Sequence, residues 1–248
     1  MKQKIRNTRR KILGWEVEIV VLMGSFVNAA AIILGTILGV LVPVPVRIRE
    51  TIVHALSLAL IVIGVSMGLK TENILIPVIA LALGSAAGEL LNIEGGIARL
   101  GAVLEQHFGQ KAARGNSPNF VQGFLTATLI YCVGAMAVVG GLNSGLQLNH
   151  QVLYAKSLID GITAIFFTAS LGIGVGFSAL PVFLYQGGIA LLAAFVAPIL
   201  SGPVLSELTA VGGMLIIGIS INVMGLAKLA VGNMLPAILF AILLSLIF

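Results

Sequence analysis

Lys156 and Asp160 are the only charged residues between Arg114 and Glu207, and both fall within an apolar run long enough to cross a bilayer. A carboxylate in the middle of hydrocarbon costs about 2.5 to 3.5 kcal/mol on insertion scales, so such a residue faces a cavity, a partner or an ion. The chemistry open to Asp160 is the binding and release of a proton or cation, or the recognition of a polar solute. Lys156 precedes it by four residues, one helical turn, so the two side chains share a face and can pair. The structural alternative is an anchor near the headgroups, with the Lys156 ammonium snorkelling outward. Beyond Asp160 the stretch GITAIFFTASLGIGVGF carries Gly172, Gly174 and Gly176, which loosen a helix and free backbone carbonyls to face a cavity.

The other polar groups inside apolar runs are amides and a further acid. Asn28, Asn222 and Asn233 sit where a carboxamide either joins helices, for about 0.6 to 2 kcal/mol, or binds a polar solute. Glu89 follows the run LIPVIALALGSAAG and is a second intramembrane carboxylate by position, although Asn92 and Glu94 come directly after it and mark the end of a helix. Lys228 reads as a cap on the turn between the last two helices. No enzyme pattern emerges: His54, His107 and His150 are scattered without metal-ligand spacing, and no GxxxxGK(S/T) phosphate loop occurs. Neither metal nor cofactor is expected, and any transport is expected to be ion-coupled, passive or powered by a partner.

The elements that must position these residues follow from composition. Of 248 residues, 58% are hydrophobic and 9% charged, with a mean hydropathy of +1.12, against roughly a quarter charged in a soluble domain. The chain reads as an all-α integral membrane protein. Apolar segments run at 23–42, 52–69, 74–91, 119–141, 152–177, 180–200, 208–227 and 230–248, which gives seven to eight transmembrane helices. The polar stretch 92–118 sets Ile97, Leu100, Leu104 and Phe108 opposite Arg99, Glu105 and Gln106, as in an amphipathic helix on the membrane surface. Pairs at GxxxG spacing, Gly35/Gly39, Gly64/Gly68, Gly84/Gly88 and Gly172/Gly176, support tight bundling or a homodimer.

The net charge of +5 does not point to nucleic acid, because the basic residues are dispersed outside the first eleven positions and carry no aromatic interleaving. The single cysteine, Cys132, forms neither a disulfide nor a metal site. The start of the chain imitates a secretory signal, but Glu16 and Glu18 interrupt its hydrophobic region and the apolar character continues to Val42. Met23 is the simpler start, with residues 1–22 a basic extension.

An offset of 104 residues places 56–90 over 160–194 and matches seven of 35 positions, among them Gly68/Gly172, Pro77/Pro181 and Gly84/Gly188. An offset of 99 adds Gly24/Gly123 and Gly35/Gly134. Segment 23–91 then repeats as 119–200, with a C-terminal helix pair at 201–248. Three helices is an odd number, so the second copy enters from the opposite face, as in the inverted repeats of secondary transporters. The loop after the first helix carries Arg47 and Arg49, while its counterpart, 143–150, has no Lys or Arg, which agrees with opposite sides. The core charges place 43–51 and 92–118 on the cytoplasmic side; the six basic residues of the tail prefer the reverse.

MGSFVNAAAIILGTILG from Met23, YCVGAMAVVG from Tyr131, LIDGITAIFFTASLGIGVGFSALPVFLYQGGIALLA from Leu158 and GGMLIIGISINVMGLAKLAVGNMLPAIL from Gly212 resemble the bacterial YdfK/YqgA-type membrane family, domain of unknown function 554, over about 23–245. The resemblance implies that Asn28, Asp160, Gly161, Tyr185, Gln186, Gly187, Asn222 and Asn233 belong to the family's pattern. The expected protein is a small secondary transporter in which Asp160, with Asn28, Tyr185, Gln186 and Asn222, lines a midplane site for a small polar or ionic solute. A passive channel and a non-transporting membrane scaffold are the alternatives.

Overall fold

A computed structural model describes residues 2–41, 45–104, 106, 120–132, 135–200 and 202–247. In chain order the helices are α1 (Lys2–Leu41), α2 (Val46–Gly68), α3 (Leu75–Leu91), α4 (Ile93–Leu104), α5 (Phe120–Cys132), α6 (Ala135–Gln147) and α7 (Gln151–Leu171). The single turn α8 (Gly174–Phe177) leads into α9 (Ala179–Leu191) and a second single turn, α10 (Ala193–Val196). Then come α11 (Gly202–Val223), the single turn α12 (Val231–Met234) and α13 (Ala237–Ser245). No strand occurs among the described residues.

Among the described residues, five stretches are long and apolar enough to cross a membrane: Ile19–Leu41 within α1, Glu50–Gly68 within α2, α7, Gly174–Leu191 across α8 and α9, and α11. The count reaches seven if two bent pairs each form one span. One is α3 with Ile93–Arg99 of α4, bent by 55°, and the other is α5 with Met136–Gln147 of α6, bent by 59°. The first bend sits at Asn92, whose φ of 49° is left-handed, a conformation that asparagine tolerates better than most side chains. The eighth expected helix, 230–248, is two short pieces, because Pro236 has no N–H with which to continue α12. The helix expected at 180–200 ends at Leu191.

Large apolar side chains point outward along the spans, including Leu34, Leu38, Leu58, Val62, Leu158, Phe166, Leu180 and Leu184. An apolar exterior of this extent is stable only against lipid. Inside, one cluster gathers Ile32, Tyr131, Ala164, Phe167 and Val182, and a second gathers Leu129, Leu215, Ile219, Val231 and Ala241.

The helices meet backbone to backbone at glycines. α1 runs along α7 and α2 along α11. A Cβ at Gly39 would lie 2.5 Å from Ile165 O, and one at Gly64 would lie 2.6 Å from Gly213 O. The carbonyl of Gly161 fills the space beside Gly35, and that of Asn233 the space beside Gly88. These expected small-residue faces are therefore occupied within the chain. Gly68 faces open space. Gly172 and Gly176 share no helix face, because Gly172 ends α7 with φ 90° and ψ −176°, a region suited to glycine.

The 104-residue offset carries α2 onto 150–172 and α3 onto 179–195, against Gln151–Leu171 for α7 and Ala179–Leu191 for α9. Pro77 and Pro181 are each the third residue of their helix. The first members differ: α1 is continuous and its expected counterpart, α5 with α6, is bent. Gly134 lies outside the described residues, as do Glu105, Phe108 and the rest of 107–118 in the surface helix expected at 92–118. In the described part of that helix Ile97 is half-buried and Arg99 exposed.

Candidate functional site

α1 turns one stripe inward: Ser25, Asn28, Ile32, Gly35 and Gly39 are buried at helical spacing, while Phe26, Ile33, Leu34 and Ile37 are exposed. α7 does the same with Leu153, Lys156, Asp160, Ala164, Phe167 and Leu171. The close approach of the glycines brings these stripes together and meets α9 at Gln186, so four polar side chains from three helices converge. Lys156 Nζ lies 2.9 Å from Asp160 Oδ1 and 2.8 Å from Oδ2. Asn28 Nδ2 donates to Asp160 Oδ2 at 3.0 Å and to Gln186 Oε1 at 3.1 Å.

The ion pair is sequestered: the Lys156 and Asp160 side chains are 9% and 4% exposed. Lys156 therefore does not snorkel. Its ammonium stands 5.8 Å from the centre of the Tyr131 ring, a cation–π separation that offsets part of its desolvation. Thr163 Oγ1 and the Tyr131 hydroxyl are 3.3 Å apart, and this holds the ring. Asp160 lies near the middle of α7 and Asn28 near the middle of Ile19–Leu41, so the network sits midway along both helices. Burying two charges is stabilising only when geometry is good and other hydrogen bonds complete the set. Here the set is incomplete: Asn28 Oδ1 and Gln186 Nε2 are buried without a hydrogen-bond partner.

The remaining expected site residues lie elsewhere. Tyr185 precedes Gln186 on α9 and is half-buried; adjacent helical residues point about 100° apart, which turns it off the network. Asn222 clasps its own loop, donating to Leu229 O and accepting from Leu229 N, both at 2.7 Å. Asn233 belongs to a second cluster, where its Nδ2 donates to Glu89 at 2.7 Å and its Oδ1 accepts from Glu94 N at 2.7 Å. Glu94 in turn accepts from Gly232 N at 3.0 Å. Glu89 is exposed and structural in this setting. Lys228 is exposed in the loop before α12.

Glu207 carries a role that sequence reasoning missed. At 1% exposure it accepts the Thr71 hydroxyl at 2.6 Å and the backbone N–H groups of Glu72 and Asn73 at 2.8 and 3.1 Å. It thus pins the α2–α3 connection to α11. Further along α1, a cavity of about 540 Å³ opens between α1, α5, α8 and α9, lined by Ile33, Thr36, Phe124, Phe177 and Leu184. This cavity is apolar and separate from Asp160.

Broken and bent helices packed around a buried charged network, with an apolar exterior and five to seven candidate spans, define a helical membrane protein. The chain belongs to the family described as "Protein of unknown function (DUF554)", which it matches over residues 23–246; residues 1–22 precede the match. It is 32% identical over 225 residues to "Uncharacterized protein YqgA" of Escherichia coli (strain K12), covering 90% of this chain and 96% of that one. It is 25% identical over 226 residues to "Uncharacterized membrane protein YdfK" of Bacillus subtilis (strain 168), covering 88% and 93%. No solved structure matches it.

Proposed function

We propose that this protein is a multi-pass secondary transporter of the bacterial plasma membrane, moving a small polar or ionic solute with a proton or cation bound at Asp160. The observation that carries the reading is the buried quartet Asn28, Lys156, Asp160 and Gln186, drawn from α1, α7 and α9 and left with two unpartnered amide atoms. A scaffold has no need of charges at that depth, whereas a transport site needs polar groups that can exchange partners. Burial of all four side chains corresponds to a state closed to water on both sides, as alternating access requires. A passive channel would instead need a continuous polar path.

Two further features support the reading. Interrupted spans are where transporters place their sites, and Tyr131, whose ring faces the Lys156 ammonium, lies next to the bend between α5 and α6. The match of α2 and α3 to α7 and α9 at one offset fits a repeated unit, with the second copy inverted.

The test is flux in liposomes containing the purified protein and a pH-sensitive dye, challenged with gradients of inorganic ions, amines and amino acids. At least one gradient should give a flux that falls tenfold or more in Asp160→Asn. An unchanged flux in that variant removes Asp160 from the mechanism. Single-channel currents in planar bilayers would replace coupled transport by a channel.

A further inference from the structure

We propose that the Lys156 ammonium is the resident occupant of a site that otherwise takes a monovalent inorganic cation, so that one cation entering beside Asp160 releases one proton from Lys156. The inference rests on the transporter reading above and gives its site a ligand class.

Charge sets the stoichiometry. The network holds one carboxylate and one ammonium, and in a low-dielectric interior an uncompensated charge costs several kcal/mol. A second monovalent cation beside Asp160 is tolerated only if Lys156 becomes neutral. The exchange is Lys156–NH3⁺ plus M⁺ giving Lys156–NH2 with M⁺ bound, and one proton passing to water on the side to which the site is open. The site is neutral before and after. A divalent ion would leave a net positive charge behind, so the site selects single charge.

The ligands are oxygens. The ammonium already spans both Asp160 oxygens within 2.9 Å, the placement a monovalent cation of similar size would take. Gln186 Oε1 and Asn28 Oδ1 are the other oxygens of the network, and Asn28 Oδ1 has no partner while Lys156 is in place. A half-turn of the Asn28 amide would exchange Nδ2, now 3.0 Å from Asp160 Oδ2, for that oxygen and turn it toward an ion bound at the carboxylate. The unpartnered oxygen is thus explained as a ligand awaiting the cation.

The surroundings leave Lys156 as the proton donor. α5 presents Tyr131 and Cys132 to the pair, α1 presents Asn28, and α9 presents Gln186 with Tyr185 beside it. α6 and α8 contain no titratable residue, and Glu50 and His54 of α2 are exposed. Among the described residues, no other full charge meets Asp160 in the network.

The experiment uses the full-length protein in detergent, melted in LiCl, NaCl, KCl or RbCl from pH 6 to 9, and in liposomes with entrapped pH dye under the same salt gradients. At least one cation should raise the melting temperature, and its apparent Kd should fall about tenfold per pH unit while Lys156 is protonated, the slope of a one-proton exchange. The same cation should drive proton movement in the opposite direction without net charge transfer. Lys156→Arg keeps a permanent cation at the carboxylate, so this variant should melt as a folded protein yet neither bind the cation nor exchange protons for it. Asp160→Asn should lose cation binding. No response to any of the four salts, cation binding that ignores pH, or proton exchange retained in Lys156→Arg would each overturn the proposal. If the salts are silent while another solute's flux still depends on Asp160, the exchange is wrong and the transporter reading stands. If no flux depends on Asp160, both fall.

Discussion

Lys156 Nζ sits one helical turn from Asp160 and touches both of its carboxylate oxygens, at 2.9 and 2.8 Å. Among the described residues, each side chain is the other's only full counter-charge in the network. Truncating one partner of such a pair costs about 3 to 5 kcal/mol, much of it from the charge left behind. Lys156→Met should therefore unfold at markedly lower denaturant or temperature than the wild type. The double variant Lys156→Met/Asp160→Met should recover most of the loss, and equal melting of single and double variants would show that the pair is not energetically coupled.

Asn28 and Gln186 should rank in a fixed order. The Asn28 amide donates to two acceptors, whereas Gln186 accepts one bond and leaves its own amide nitrogen unpaired. Stranding a buried acceptor costs about 1 to 3 kcal/mol. Asn28→Ala is expected to destabilise more than Gln186→Ala in paired melts, and the reverse order would mean that Gln186 is the anchor.

Gly64 and Gly68 share a helix but not an environment. A methyl group at Gly64 meets Gly213 O at 2.6 Å, while Gly68 has nothing within 4 Å. Overpacking of this kind costs about 1 to 3 kcal/mol. Gly64→Ala should lower the melting temperature, and Gly68→Ala should leave it unchanged or raise it slightly through better helix propensity. Equal effects at the two positions would contradict the α2–α11 contact.

Glu207 holds the α2–α3 connection by three hydrogen bonds, and bonds to a charged acceptor contribute about 1.5 to 3 kcal/mol each at most. Glu207→Ala should release this segment. A cysteine introduced at Glu72 should then react faster with a soluble maleimide than in an otherwise wild-type background, and an unchanged rate would show that the connection is held elsewhere.

How much of this was legible beforehand depended on how conspicuous each residue was against hydrocarbon. Asp160 with Lys156 stood out because charge is rare there, and their spacing on one helical turn sufficed to pair them. Asn28 and Asn233 looked alike in sequence, as amides in apolar runs. One reaches Asp160 and the other Glu89 and Glu94, because helix rotation and neighbour choice come from packing. Glu207 drew no notice since a carboxylate at the edge of a span, next to a polar loop, needs no explanation until its burial is seen. The break at Gly172 was readable from three clustered glycines. The division of the last segment at Pro236 was passed over because the flanking residues are uniformly apolar.

α1 is 40 residues long, about 60 Å at 1.5 Å per residue, roughly twice the thickness of the hydrocarbon core. Its membrane-crossing stretch begins at Ile19, and the 17 residues from Lys2 to Glu18 continue the same helical rod outside. Asn28 lies ten residues further along that rod than Glu18. The arm outside the apolar stretch and the amide that holds Asp160 against Gln186 thus belong to one continuous helix.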